Sequence, residues 1–329
     1  MKTFFALWPL LGIAAAAGRT SAPSGALVVG GNGTYSTIQA AVDALSTSSS
    51  EEQIIFIHPG TYKEQVYIDS LSGPLTIYGS TSDTSSYGSN EVIITAGESQ
   101  ETQSNNDLTA TLRVHTSGFK LYNVDVVNSY GKGSQALALS AYAEHQGYYA
   151  CSFTGYQDTI LAQIGAQIYA QCYIEGATDF IFGQEGQAWF EGCDIGVLEA
   201  SQGYITASGR DSSSSASYYV INKSSVAAAS GNTVSSGAYY LGRPWRQYAR
   251  VAFQDTALSA VINSAGWSIW NSGDERTDNA VFGEYGNTGQ GSEGTRAAFA
   301  TKLSEPVGIA DVLGSDYASA AYFDADYVG

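Results

Sequence analysis

Basic residues, cysteine, proline and histidine are all scarce in this chain. Lys and Arg number 14 against 31 Asp and Glu, a formal net charge of −17. Nucleic-acid binding needs a basic face that neutralises phosphates, so that class is excluded. Three cysteines are too few for a disulfide-dense scaffold. Six prolines beside 37 glycines fit many tight turns rather than Pro-rich linkers. The three histidines, His58, His115 and His145, are scattered without metal-ligand spacing and read as structural. There is no Gly-x-Ser-x-Gly elbow, no phosphate loop and no dinucleotide fingerprint, which argues against an ordinary serine hydrolase and against nucleotide chemistry. No metal and no cofactor is expected.

Long apolar runs are missing after residue 17. Before it, Lys2 and the apolar stretch Phe4 to Ala17 have the form of a secretory signal, with Ala15-Ala16-Ala17 before Gly18 as the cleavage site. The run is too short for a comfortable membrane span. Residues 1–17 are therefore expected to be a signal peptide and 18–329 one exported domain, soluble and without membrane association. The acidic charge and the lack of an obvious apolar face lean to a monomer. Asn32-Gly-Thr and Asn222-Lys-Ser are N-glycosylation sequons in loop-like sequence, and an exported chain would carry glycans there.

What the chain does have is a period. Cys151-Ser-Phe-Thr-Gly-Tyr-Gln-Asp158-Thr-Ile is followed 21 residues later by Cys172-Tyr-Ile-Glu-Gly-Ala-Thr-Asp179-Phe-Ile, and Cys193 continues the phase. A fixed step of this size marks a solenoid, close to one turn of a right-handed parallel β-helix and shorter than a propeller blade. Short strands fit it: Gln53–His58, Leu75–Tyr78, Val92–Thr95, Leu112–His115 and Phe119–Val127, separated by Gly, Asn and Ser turns. The spacing of Ile38, Ala41, Val42 and Leu45 predicts a helix over 37–45 that caps the first coil. Residues 297–303 have weak helical character. The fold class expected is all-β, a single right-handed parallel β-helix with a short N-terminal capping helix. Stacked on such a solenoid, Cys151, Cys172 and Cys193 either form one disulfide between adjacent coils or remain three buried thiols; the spacing leaves both open.

Asp158 and Asp179 occupy equivalent positions on adjacent coils, so they lie about one strand separation, roughly 4.8 Å, apart. Like charges that close cannot both ionise freely, and one carboxyl keeps its proton. That supplies a base or nucleophile beside a general acid, without saying which is which. Gln135 precedes Gln157 by 22 residues, close to the same phase, and glutamine amides can donate to a developing oxyanion. Arg243 can hold one carboxylate ionised.

Gly60-Thr-Tyr-Lys-Glu64, Gln135-Ala-Leu-Ala-Leu139, Gly155-Tyr-Gln-Asp-Thr159, Asp179-Phe-Ile-Phe-Gly183 and Leu241-Gly-Arg-Pro-Trp245 occur in this order. Together they closely resemble the signature set of pectin methylesterases (pectinesterases, carbohydrate esterase family 8). Val261 to Trp270 and Glu284-Tyr-Gly-Asn287 extend the likeness over essentially the whole mature chain. Leu137 stands where a Val is more usual. The compact form resembles fungal or bacterial members, without the long N-terminal inhibitory region of many plant relatives. The resemblance implies a secreted β-helix that removes methyl esters from galacturonan. It implies Asp179 as nucleophile, Asp158 as general acid and base, Gln135 and Gln157 at the oxyanion, Arg243 holding Asp179 and Trp245 lining a sugar subsite, Arg243 and Gln135 also touching substrate. Tyr156, Phe180 and Trp267 are further aromatic candidates for sugar stacking. Two other readings are a pectate lyase or polygalacturonase on the same solenoid, and a non-catalytic carbohydrate-binding solenoid. The calcium-binding acidic cluster of a lyase and the larger aspartate group of a polygalacturonase are not seen beside the pair. A protein of this charge is expected to repel its own demethylated, anionic product and to prefer highly methylated pectin.

Overall fold

The computed structural model describes residues 17–329; the expected signal segment falls outside them apart from Ala17. Three sheets of eleven, seven and eight strands each gain one strand per coil in chain order. Neighbouring coils pair in parallel. The winding is that of a right-handed parallel β-helix. The step is 21 residues from Ser152 to Tyr173 and from Tyr173 to Asp194, but 27 from Asp125 to Ser152 and 31 from Asp194 to Ser225. The extra residues fall in loops flanking the seven-stranded sheet, and one of these, 129–138, carries Gln135 to the cleft described below.

Identical positions on successive coils build the core. Ile94, Val126, Phe153, Ile174, Ile195, Val226 and Leu258 stack in register, all buried. On the eleven-stranded sheet Tyr148, Tyr169 and Phe190 stack nearly face to face, with centroids 4.8 and 4.6 Å apart. Each coil leaves its apolar inner face to be covered by the next, so burial accumulates along one axis. The N-terminal end is closed by the helix Ile38–Val42, which buries Ile38, Ala41 and Val42. Thr37 caps it through Oγ1, and Glu64 accepts from the amides of Ile38 and Gln39 at 2.9 Å each. Glu64 thus offers its carboxylate to orphan N–H groups at a helix start.

Two expectations need correction. Phe119–Val127 is not one strand but two, Phe119–Tyr122 and Asp125–Asn128, in different sheets. The break is a left-handed corner at Asn123, φ 54°. Ala150, Gln171, Gly192, Lys223, Asp255 and Gly286 turn the same corner on later coils, all with positive φ. Most are not glycine, so the corner is imposed by stacking against local preference and leaves little trace in composition. The 297–303 stretch is not helical either. Ala300–Lys302 forms the last strand of the eleven-stranded sheet, where pairing with Phe282–Glu284 overrides a weak propensity. The tail's helix comes later, at Ile309–Leu313, and with Tyr322 it covers the outer face of that sheet around Tyr149, Ile168 and Trp189.

Cys151, Cys172 and Cys193 follow that corner on three successive coils, wholly buried and all free. Their thiols donate to backbone carbonyls, Cys151 to Tyr149, Cys172 to Ala170 and Cys193 to Tyr169, at 3.3–3.4 Å. Burial pushes the Cys172 thiol well above its ordinary range. A thiol reagent is expected to find no reactive group in the native protein and three per chain after unfolding without reductant. A count of one after unfolding would mean a disulfide.

Candidate active site

The outer face of the seven-stranded sheet is the floor of a groove. In register along it run Arg113, Ser140, Leu161, Phe182, Ala207 and Arg243, one from each of six coils. Asp158 and Asp179 sit where the chain enters two of these strands, Ile160–Ala162 and Thr178–Gly183. Gln157 bridges Thr178 in parallel, and the Asp158 amide donates to the Thr178 carbonyl at 3.0 Å. The two aspartates are therefore equivalent residues of adjacent coils, as the 21-residue step requires. Both have left-handed backbones, φ 64° and 51°. Asp tolerates this region better than most residues, and such strain clusters at functional sites. The same irregular bend on two coils brings both carboxyls into one cleft.

That cleft, about 390 Å³, is lined by Gln135, Gln157, Asp158, Asp179, Arg243 and Trp245, which brings together six residues expected from sequence. Gln135 Oε1 accepts from Ser134 at 3.3 Å, which leaves its amide nitrogen for the cleft. Arg243 grips Asp179 with a two-pronged fork, Nε to Oδ1 at 2.9 Å and Nη2 to Oδ2 at 2.7 Å. The guanidinium is itself flanked by the rings of Tyr204 and Trp270, 4.0 and 4.3 Å from their centroids. A planar, bidentate, ring-flanked Arg is fixed in orientation as well as charge. Trp245 lies over Gly209, where a Cβ would stand 2.5 Å from its ring. Gly183 closes the Asp179 strand, and a Cβ there would meet the Ala162 carbonyl oxygen at 2.0 Å.

The electrostatics separate the two carboxyls. Burial pushes both above the ordinary carboxylate range. Asp158 is pushed further, because the Asp179 charge adds to burial. Asp179 is pulled back by the hydrogen bonds and charge of Arg243. The pair titrates as a unit, with Asp179 losing its proton first and Asp158 holding one.

Other expected residues are placed elsewhere. Phe180 is buried in the core together with its neighbour Ile181, because the left-handed backbone at Asp179 breaks the strand alternation and turns two consecutive side chains inward. Trp267 is also buried, stacked on Phe282 at 4.5 Å with Nε1 donating to Glu284. Neither offers a face to a sugar. Tyr156 is half-buried outside the cleft lining, its ring 6.0 Å from the Lys132 ammonium. Gln100, Asn106, Phe182 and Trp270 line the cleft without having been singled out from sequence. Nothing in the spacing marks Gln100, which arrives on a turn, or Asn106, which opens the short helix Asn106–Thr109. Trp270 lies only three residues past Trp267, and its exposure beside Arg243 is decided by tertiary packing. Of the two sequons, Asn32 is exposed. Asn222 is buried in an amide ladder, donating to Glu191 at 2.7 Å and accepting from Gln254 at 2.9 Å, so the folded coil has no room for a glycan there. No helix among the described residues is long and apolar enough to cross a membrane.

A protein-family model described as Pectinesterase matches residues 26–302. A pectinesterase of Aspergillus niger is 57% identical over 318 residues, covering 96% of each chain. One of Aspergillus aculeatus is 54% identical over 318 residues, covering 95% of this chain and 96% of its own. The crystal structure of a pectin methylesterase from Aspergillus niger superposes with a TM-score of 0.88 at 44% identity, over 94% of this chain and all of that one.

Proposed function

We infer, from the premise that the chain belongs to the pectinesterase family, how its cleft performs the reaction of that family. The protein is a carboxylic ester hydrolase that removes methyl esters from pectin. Asp179 is the nucleophile. Its carboxylate oxygen bonds to the ester carbonyl carbon, and the carbonyl electron pair moves onto oxygen. Gln135 and Gln157 donate N–H groups to that oxyanion. The tetrahedral species collapses, the bond to methoxide breaks, and methanol leaves with the proton held by Asp158. Asp158, now a carboxylate, takes a proton from water, which attacks the acyl carbon and frees Asp179. One ester and one water become one acid and one methanol.

The observation that carries this assignment is the Arg243 fork on Asp179. It keeps one carboxyl ionised and aimed, while Asp158, raised by burial and by the Asp179 charge more than Arg243 lowers it, stays protonated. Trp245 lines the cleft as a sugar-contacting ring. The test is methanol release from methylated pectin without new reducing ends or unsaturated products, lost in Asp179→Asn. Release of methanol by that variant at an undiminished rate would overturn the assignment.

The protein acts outside the cell as a monomer, with residues 1–17 removed and a glycan on Asn32. The exposure of Asn32 and the acidic surface support this. Peptide mass mapping of the exported protein is expected to find Gly18 at the N-terminus, a modified Asn32 and an unmodified Asn222, and light scattering one chain per particle. An Asn222 glycan or an intact Met1 would contradict it.

A further inference from the structure

The segment that brings Trp270 to the cleft has no core of its own. It leaves the side of strand Tyr239–Pro244 at Ser268, whose amide donates to the Gly242 carbonyl at 3.0 Å. It returns at Val281, whose amide donates to the Ala249 carbonyl at 2.8 Å. No residue from Ser268 to Ala280 is buried. A segment with so few buried contacts stays where its polar ties hold it. Most of those ties are internal. The Trp270 amide donates to the Glu275 carbonyl at 3.1 Å, and Asn271 and Asp274 bridge each other through their backbones.

Arg276 is the exception, because it reaches out of the segment. Its Nε and Nη2 donate to Asp274 Oδ2 at 2.9 and 2.6 Å, which fixes the guanidinium. Its Nη1 then donates to the backbone carbonyl of Trp245, 31 residues away in the chain. The same guanidinium lies 5.0 Å from the centroid of the Trp270 ring, the ring that meets Arg243 at 4.3 Å. The Arg276 backbone is left-handed, φ 58°, a conformation unfavourable for a long side chain and kept where surrounding bonds impose it. Both outward contacts bear on Arg243. Trp245 stands two residues beyond it, so the carbonyl bond pins the chain just where Tyr239–Pro244 ends. Trp270 is one of the two rings that flank its guanidinium.

We propose that Arg276 is a positioning residue for the ester hydrolysis: it ties the 268–280 segment to the Trp245 carbonyl and seats the Trp270 ring against Arg243, so that the Arg243 fork stays aimed at Asp179. The proposal rests on the assignment of the cleft given above. Arg276 does not itself line the cleft. The groups that act on the Asp179 carboxyl are Arg243 and Asp158, and Tyr204 lies against Arg243. Arg276 is paired with Asp274 and reaches Asp179 through Arg243.

The test measures methanol release from methylated pectin by the whole protein. Arg276→Ala is expected to lower kcat about tenfold, less than loss of Arg243, because only the aim of the fork is disturbed. KM should stay within about threefold of the parent, since the Trp245 ring keeps its contacts with Phe182 and Gly209. The acid limb of the kcat/KM profile should move to higher pH as the fork loosens its hold on Asp179. Trp270→Ala should move kcat and the acid limb the same way. Adding Arg276→Ala to Trp270→Ala should then cost about threefold or less, since residues that act through one another are not additive. Arg276→Lys keeps the charge without the planar fork and should leave kcat low and the limb displaced. Asp278→Asn, on the same segment but outside these contacts, should match the parent. A thermal midpoint within about 2 °C of the parent shows that the variants fold. An unchanged kcat in Arg276→Ala, a loss carried by KM alone, or full additivity with Trp270→Ala overturns the proposal. Full recovery in Arg276→Lys also overturns it, because Arg276 would then act by charge alone. Methanol release by Asp179→Asn would strike the cleft assignment instead, and is read separately.

Discussion

Asp179→Asn is expected to end methanol release from methylated pectin, with kcat lowered by about 10⁴-fold or more. The amide oxygen keeps the shape of the carboxylate and can still accept from Arg243 Nε. It cannot carry the negative charge that attacks the ester. The loss therefore falls on kcat, and methylated pectin should still bind. Asp158→Asn removes the proton carried to methanol and the base for the second step, and should cost about 10²–10⁴-fold. The two variants differ in stability. The Asp158 carboxyl is raised well above its ordinary value by burial and by Asp179. A group raised on folding contributes most below its unfolded pKa and loses that contribution as pH rises through the folded one. Asparagine has no proton to lose, so Asp158→Asn should unfold at higher temperature than the parent near neutral pH, by the equivalent of about 1–2 kcal/mol. The gain should vanish near pH 3.5. Thermal midpoints at the two pH values check this, and methanol assays check the rates. A rate for Asp179→Asn within tenfold of the parent would remove it as nucleophile.

The sequence carried the site further than it carried the backbone. The 21-residue step holds only across Ser152, Tyr173 and Asp194, yet Asp158 and Asp179 fall inside that regular stretch. Their juxtaposition was therefore legible from spacing alone. Their unequal protonation was legible from charge, but its direction depends on Arg243, which lies 64 residues from Asp179 in the chain. Only the ordered motifs pointed to that pairing. The corners were hidden because Ala150, Gln171 and Lys223 adopt a backbone that composition assigns to glycine or asparagine. The aromatics were hidden for a different reason. Trp267 and Trp270 share one motif, and periodicity does not tell which faces inward once the chain leaves a regular strand. Packing on Phe282 buries the first, and Arg243 keeps the second at the cleft. Asn222 shows the same limit, since a sequon reads as a loop whether or not its amide lies in a ladder.

Arg243→Gln is expected to move the acid limb of the kcat/KM profile to higher pH. In the parent, burial raises Asp179 and the Arg243 hydrogen bonds and charge lower it. Removing Arg243 removes the lowering, so Asp179 holds its proton to a higher pH and the rate at acid pH falls most. Asp158 rises as well, because Arg243 lowers it too, so the alkaline limb moves in the same direction. Lost orientation of the nucleophile should cost about 10²-fold even at the new optimum. Stability follows with its own pH dependence. An ionised Asp179 without its partner is a buried unpaired charge, which costs about 3–5 kcal/mol. Protonation relieves it, so the penalty should be largest at high pH and fade as pH falls through the raised pKa. Arg243→Lys separates the two effects. It keeps a charge near Asp179 and should return the acid limb toward the parent, but one ammonium cannot reproduce two parallel N–H bonds or pack flat between Tyr204 and Trp270. Its kcat should stay low. An acid limb that stays in place or moves to lower pH in Arg243→Gln would mean that Arg243 does not hold Asp179 ionised.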